Sequence, residues 1–579
     1  MEKNLISPVK RIRTDVVKRI KCPVKRPEGY KEENDYYYVD YPLYTESKHG
    51  NVWDLVNGLY TEAAPQTASW VTDFLYDMKL DFGKIAFLTA SCGTGKNEYV
   101  RFLVENRYYQ RVLVLANRKA NKLQIMDKLG VDGTEMFPKV VVKSYQSLEL
   151  TSEYFSEELE LFDLIVADEA HYFLNDSLFN PRVNVSLRRI MMAKRPAKLF
   201  MSATLTDIEA LVIGKIKEHR GTDIIGKIAT RYMLIRKKQH IKFVACVDYK
   251  EIVPKILGSS EKWLIFVDSI KKGTELKKSI GAEAVFICAE NSEANGEAVA
   301  EIKGLIENEM QCHRVVISTS ILDNGITIKD TALTNIVIDC NDRVEMVQML
   351  GRKRCINEED QFSLYLVYQD ANSLEKVQQQ NQFEIRNWIR MYRHLEKEGF
   401  PPVVYSMETE EGQRYRRMCY MDATKKSFEF NYLGLYKLLK NEKDLQELCS
   451  ASDPFRVKCK WLFEDIGMPE IVSDSNSVVK AKIGRILAAI EQFAGKTYPV
   501  KDAEFKAFQK AFSESFWQEF CLDKEENHRS DRMLTPGKIK DICEKYEIPV
   551  VLEKKKIVVN KKRTTAYSIC IKRAVDVVA

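Results

Sequence analysis

Seven consecutive residues, Ala90-Ser91-Cys92-Gly93-Thr94-Gly95-Lys96, have the composition of a phosphate cradle. They stand between the apolar run Ile85-Ala86-Phe87-Leu88 and a helical pattern that puts Val100, Leu103 and Val104 on one face. A glycine-rich turn between a strand and a helix aims several backbone N–H groups, and the positive end of the helix, at one anion. Lys96 adds a mobile cation for the outer phosphates. Asn97 follows where a Ser or Thr hydroxyl usually ligates Mg²⁺. An amide oxygen is also a hard ligand for that ion, though longer and less acidic than a hydroxyl.

A second run carries the complementary chemistry. Leu164-Ile165-Val166-Ala167 reads as a buried strand and ends in Asp168-Glu169-Ala170-His171. An isolated Asp-Glu pair is usually a solvated surface feature. At the end of an apolar strand downstream of a phosphate loop, Asp168 is placed to hold Mg²⁺ and Glu169 to orient and deprotonate a water.

Further short runs follow in order. Asn117-Arg118 comes after the strand Val112–Leu115, and Ser144-Tyr145-Gln146 after Val140–Val142. Met201-Ser202-Ala203-Thr204-Leu205, Phe266-Val267-Asp268-Ser269, Ser318-Thr319 with Gly325, and Gln348-Met349-Leu350-Gly351-Arg352-Lys353-Arg354 complete the series. In this order and with Asp168-Glu169-Ala170-His171, they resemble the motifs of superfamily 2 helicases of the DEAD/DEAH-box type. The resemblance covers roughly Leu80 to Tyr368, about half of the chain. The wording of the motifs is most similar to helicases of phages and bacterial mobile elements and to the herpesvirus origin-binding helicase.

The resemblance implies ATP and Mg²⁺ as cofactors and nucleic acid as partner, DNA ahead of RNA. It implies ATP contacts from Ala90 to Asn97 and from Asp168, His171 and Gly325. Asn97 and Asp168 would hold the metal, and Ser202 and Thr204 would couple hydrolysis to domain movement. Asn117, Arg118, Ser144 and Thr319 would line the nucleic-acid path. Glu169, Gln348 and an arginine finger would carry the catalysis. The usual pattern Gln-x-x-Gly-Arg-x-x-Arg would put its last arginine at 355, where this chain has Cys355 and an arginine one residue earlier. The finger is therefore Arg352 or Arg354. A nucleic-acid-gated ATPase switch without unwinding, and a helicase-nuclease using Asp541, Glu553 and Lys555, are the alternatives.

The elements that must position these residues are short apolar runs separated by helical patterns, as in a parallel sheet covered on both faces. A first series ends with Leu199–Met201. A second comprises Trp263–Val267, Ala284–Cys288, Val315–Ser318, Asn335–Asp339 and Leu364–Val367. The fold class is α/β, two tandem RecA-like domains with a mainly helical C-terminal region and a winged-helix-like end. The expected divisions are 1–45 as a basic extension, 46–215 and 216–370 as the two domains, 371–530 as a helical accessory region, and 531–579 as the terminal module. Glutamines and charges in Glu375–Asn387 read as an exposed helix. Ile483, Ile486, Leu487 and Ile490 share a helix face, and Thr535-Pro536 reads as a helix start. Lys561, Lys562 and Arg563 are expected at a hairpin tip.

Composition bounds the rest. The 579 residues are 45% hydrophobic and 30% charged, enough apolar material for several cores and unlike a disordered chain. Thirteen scattered cysteines, without CxxC pairs, suit reduced thiols in an intracellular protein. No apolar run has the length of a membrane span, and Met1–Arg26 lacks the apolar core of a secretory signal. The net charge of +6 is only slight support for a polyanionic partner.

Overall fold

The computed structural model describes residues 59–64, 70–105, 108–117, 122, 125–126, 129–131, 139–150, 158–220, 225–235, 240–288, 296–323, 326–401, 415–422, 426–463, 468–520, 533–559 and 562–572. The basic extension 1–45, Arg118, Gly325 and Lys561 lie outside them. One unit runs to Val472; a second takes Ser473 onward together with Cys246–Asp248.

The first unit holds two seven-stranded sheets. In the first, β1 (Thr61–Ala63), β2 (Ile85–Ala90), β3 (Val112–Ala116), β4 (Val140–Ser144), β5 (Leu164–Ala167), β6 (Ala197–Ser202) and β7 (Ala229–Leu234) lie in the order β1-β7-β2-β6-β5-β3-β4. Every pairing is parallel. β2, β3, β5 and β6 are almost wholly buried because helices cover both faces, so their sequences are continuously apolar rather than alternating. β7 stands downstream of the division expected at 215/216 and belongs to this sheet. The covering helices include α1 (Lys96–Glu105), α2 (Val183–Met192) and α3 (Thr206–Arg220).

The second sheet contains β8 (Ile241–Val247), β9 (Lys262–Phe266), β10 (Ala284–Ile287), β11 (Val315–Ser318), β12 (Leu333–Ile338), β13 (Phe362–Val367) and, beyond a hairpin of β14 (Cys419–Asp422) and β15 (Ser427–Phe430), β16 (Ile471–Ser473). Its order is β10-β11-β9-β12-β13-β8-β16, and β10, β11, β9, β12 and β13 pair in parallel. Helix α4 (Arg343–Leu350) follows β12 and is N-capped by Asp342, whose carboxylate accepts from the N–H groups of Val344 and Glu345. Two tandem RecA-like domains, followed by a mainly helical region, are the architecture of this chain.

Helix α5 (Ala371–Glu398) leaves the second domain after β13. Its 28 residues extend about 42 Å at 1.5 Å per residue. It pairs with α6 (Tyr432–Ser450). The two do not build a separate core. Ile385, Trp388, Ile389, Tyr392, Leu433, Leu435, Tyr436 and Leu439 are buried in one cluster with Tyr145, Leu148, Phe173, Val183 and Leu187 of the first domain. The helix over Glu375–Asn387 is exposed at Glu375, Lys376, Val377, Gln379 and Gln380, as its composition suggests, and buried at Ile385 and Arg386. Gln378, Asn381 and Gln382 donate to the buried carboxylate of Glu442 on α6, at 2.9, 3.0 and 2.7 Å. Their partly buried polar side chains are paired with a polar partner.

The second unit has the order α7 (Ser475–Ile490), β17 (Thr497–Pro499), α8 (Ala503–Phe520), α9 (Pro536–Lys545), β18 (Val550–Val559), β19 (Lys562–Ile571). Phe505, Phe508, Phe512, Phe516 and Phe520 fall on one face of α8 and form its core with Ile486 and Ile490 of α7 and with Ile539 and Ile569. Thr535 caps α9, with Pro536 in the first turn, as the sequence suggests. The strands are antiparallel in the order β17-β19-β18. Past the pair Pro499↔Ala566, β18 and β19 continue as a two-stranded arm that exposes Lys556, Val558, Lys562 and Arg563.

Candidate nucleotide site

β2 delivers Ala90 to the C-terminal edge of the first sheet, and α1 begins at Lys96. The five residues between form a tight turn in which Gly93 and Gly95 have φ of 84° and 80°, values that only glycine adopts without strain. Thr94 is fully buried and its hydroxyl donates to Ser91 C=O at 2.7 Å. Lys96 is buried, with Nζ donating to Ala90 C=O at 3.1 Å, so its charge sits beneath the loop. Asn97 lies in the first turn of α1.

Two strands over, β5 ends beside the loop. Asp168 is 2% exposed and its N–H donates to Leu115 C=O at 3.0 Å. Glu169 has φ of 48°, a left-handed conformation that strains a residue with a Cβ and concentrates at functional positions. Burial opposes the charged form of Glu169. Lys96, His171 and Arg352 outweigh that and hold its carboxyl well below the ordinary carboxylate range.

A chain of polar contacts runs from this carboxylate into the second domain. Glu169 Oε2 lies 3.3 Å from His171 Nδ1. The same nitrogen lies 2.9 Å from Ser202 Oγ, which accepts from the Thr204 N–H at 3.2 Å. Gln348 Nε2, on α4, stands 3.4 Å from His171 Nδ1 and 3.5 Å from Thr204 Oγ1. Gln348 is fully buried and accepts from Arg352 Nη2 at 3.0 Å.

The two arginines of this segment have different surroundings. Arg352 is 3% exposed and also donates to Gln348 C=O and Ile326 C=O, at 3.1 and 3.2 Å. Arg354 reaches the glycine-rich loop: its Nη1 is 3.3 Å from where a Cβ on Gly93 would stand. Gly351 is equally constrained. It has ordinary helical φ, but a Cβ there would lie 2.5 Å from Cys92 Sγ. Glycine is needed at 351 for the approach of the two domains, not for backbone freedom.

Asp168 and Asn97 offer hard oxygens of the kind Mg²⁺ takes, and they flank the loop. No group of three or more His, Cys, Asp or Glu side chains able to hold a metal occurs among the described residues. The donor set fits an ion that keeps waters and phosphate oxygens in its shell, as Mg²⁺ does.

The remaining candidates are dispersed. Asn117 ends β3 with its side chain buried, and its C=O accepts from Gln146 Nε2 at 3.4 Å. Ser144 is partly buried at the end of β4, while neighbouring Tyr145 is core, donating to Asp168 C=O at 2.8 Å. Thr319 is partly buried after β11, its N–H bonded to Ile287 C=O. Asp541 lies within α9, and Glu553 pairs with Lys555 at 3.1 Å on an exposed strand. One contact had no sequence signal. Trp70 covers the loop, with Cε3 3.2 Å from where a Cβ on Gly95 would stand, and the Val71 N–H donates to Thr94 C=O at 3.0 Å. A lone tryptophan twenty-odd residues upstream of the loop has no periodicity to mark it.

No family model and no curated protein matches this chain. Among solved structures it is similar to S. cerevisiae Dbp5 bound to RNA and ADP BeF3, with 16% identity and a TM-score of 0.36, covering 53% of this chain and 88% of that one. A variant of the same protein bound to RNA and ADP BeF3 gives 17% identity, the same TM-score and the same coverage. Likeness at this level carries no argument about function, which rests on the residues themselves. No helix among the described residues is long and apolar enough to cross a membrane.

Proposed function

We propose that this chain is an ATP-dependent nucleic-acid helicase or translocase, with ATP bound between the two RecA-like domains. The observation that carries the reading is the meeting of Arg354 with the phosphate loop at Gly93. A loop built for phosphates and a cation from a second domain converge on one point. That is what in-line phosphoryl transfer to water requires.

In this reading the loop N–H groups and Lys96 hold the phosphates. Asp168 and Asn97 would hold Mg²⁺, which when bound would neutralise charge on the outer phosphates. Glu169 orients the attacking water. Arg354 meets the charge that develops on the transferring phosphoryl group. Gln348 senses that event through His171 and Thr204, so nucleotide state sets how the domains sit. Domain movement then shifts a strand held by its backbone phosphates, without sequence preference and with strong salt dependence. The helix–strand–helix–helix–strand–strand order of the second unit, with its basic arm, is that of a winged helix and supplies a second candidate surface.

The test is ATP turnover measured with single-stranded DNA, duplex DNA and RNA added in turn. Stimulation by at least one polymer is expected. Turnover absent under all conditions, or unaffected by any of them, would overturn the proposal; DNA and RNA compete on equal terms.

A further inference from the structure

The helix pair α5–α6 comes after the second domain in sequence but packs into the core of the first. Its anchorage there is polar as well as apolar. Asn431, the N-cap of α6, is fully buried; its Nδ2 donates to Ser177 C=O at 2.7 Å, and its Oδ1 accepts from Asn184 Nδ2 at 2.7 Å. One turn and a half later, Tyr436 donates to Asp207 at 3.3 Å.

From that base α6 presents the buried Lys437 to the second domain, with the buried Lys440 one turn on. Lys437 is 2% exposed and pairs with Asp342, with Asn175 Oδ1 at 3.4 Å on its other side. Lys440 pairs with Asp444 at 2.8 Å and stands 3.8 Å from Asp207. Asp342 is the N-cap of α4, the helix that carries Gln348 and leads into Gly351, Arg352 and Arg354. Burial opposes ionisation of Asp342, but Lys437 and Lys440 overcome it and hold the carboxyl well below its ordinary range. A buried charge of this kind persists only with its partner in place. The pair is therefore formed when α4 sits against the first domain, and opening the cleft must break it or drag α6 along.

We propose that Lys437 and Asp342 are positioning residues: the α5–α6 pair braces the two domains, and this ion pair fixes α4 where Arg354 meets the phosphate loop. The proposal rests on the nucleotide-site reading above for its kinetic consequence, but not for its mechanical one. The same contact explains why α6 buries Lys437, whose charge is neutralised by a carboxylate of the second domain.

The experiment uses the full chain. Asp342→Asn removes the charge and keeps an oxygen for the α4 cap. Lys437→Met removes the other charge at similar volume. Spin labels at the exposed positions Glu105 and Ser279 report the interdomain distance by pulsed EPR, with and without a non-hydrolysable ATP analogue. Each single variant is expected to broaden or lengthen the nucleotide-free distance distribution. Each should lower kcat/KM for ATP by about tenfold, within the range of ordinary coupling between sites. The double variant should be no worse than the worse single, since both remove one interaction, and Lys437→Arg should recover most of the loss. A wild-type distance distribution in both single variants overturns the brace, as does full additivity in the double. Should one single variant fail to fold, the other carries the test. Should the wild-type chain hydrolyse no ATP, the functional reading fails while the distances still decide the brace.

Discussion

Arg354 Nη1 lies 3.3 Å from the Cβ position of Gly93, while Arg352, two residues earlier, is enclosed by Gln348 and Ile326 C=O. The sequence leaves the finger open between them, and the two stand in different surroundings. Arg354→Ala should lower kcat by about 10³-fold with little change in KM for ATP, since the lost interaction grows in the transition state. Arg352→Ala should disturb the geometry of Gln348 and raise KM as well. Steady-state kinetics on both variants checks this. Normal turnover in Arg354→Ala would reverse the assignment.

Gly351 faces Cys92 across the domain boundary. Gly351→Ala puts a methyl group where Cys92 Sγ stands, an overpacking of the kind that costs about 1–3 kcal/mol. The expected result is an ATPase activity lowered about tenfold or more, at unchanged nucleotide affinity of the first domain. Cys92→Ala in the same chain should restore part of it by vacating the sulfur's volume. No recovery in the double variant would mean that the glycine serves something other than close approach.

Lys96 and Glu169 should fail differently. Lys96→Ala removes the cation beneath the loop and should weaken nucleotide binding, read by titration with a fluorescent ATP analogue. Glu169→Gln should bind ATP normally and lose hydrolysis. It also removes the charge that Lys96, His171 and Arg352 stabilise. Turnover near wild type in either variant would dismantle the site.

The basic arm of the second unit gives a salt-dependence prediction. Lys562→Glu with Arg563→Glu should weaken nucleic-acid binding and leave basal ATPase intact. For every backbone phosphate no longer neutralised, the slope of log affinity against log salt should flatten by about 0.7–0.9. Lys572→Glu, at the base of the hairpin where its N–H bonds Pro549 C=O, is the control. An unchanged slope in the tip variant would leave strand binding to the first unit alone.

The central strands were legible because burial on both faces makes their sequences uniformly apolar. β1 and β7 were not. β1 is three exposed residues, and β7 carries Arg231, which pairs with Glu209 of α3. A strand neutralised by a helix elsewhere has no apolar signature. The tight turn at Gly93 and Gly95 and the strand end at Asp168-Glu169 could be read because their geometry is local, a turn after a strand. Arg354 could be favoured only on the reach of an arginine across a one-residue shift, since where it lands depends on how the chain leaves α4. Gln378, Asn381 and Gln382 look solvent-facing until Glu442 is placed opposite them, 60 to 64 residues away. Lys437 needed Asp342, 95 residues back. Pairings of that range leave no trace in a local window.

The apolar cluster that joins Phe173 and Leu187 to Trp388 and Leu439 has a bearing on how the chain is made. A nascent chain emerges from its N-terminus, and domains usually settle in that order. Here the first α/β domain is complete in strands by Leu234, yet part of its apolar surface stays uncovered until residues 385–439 leave the ribosome. Most of the second domain's strands are synthesised in that interval, but its own sheet is not complete until β16 (Ile471–Ser473) follows. The order of translation is therefore not the order of completion: each α/β domain waits for a segment made after the other has begun, and such long-range contacts slow folding.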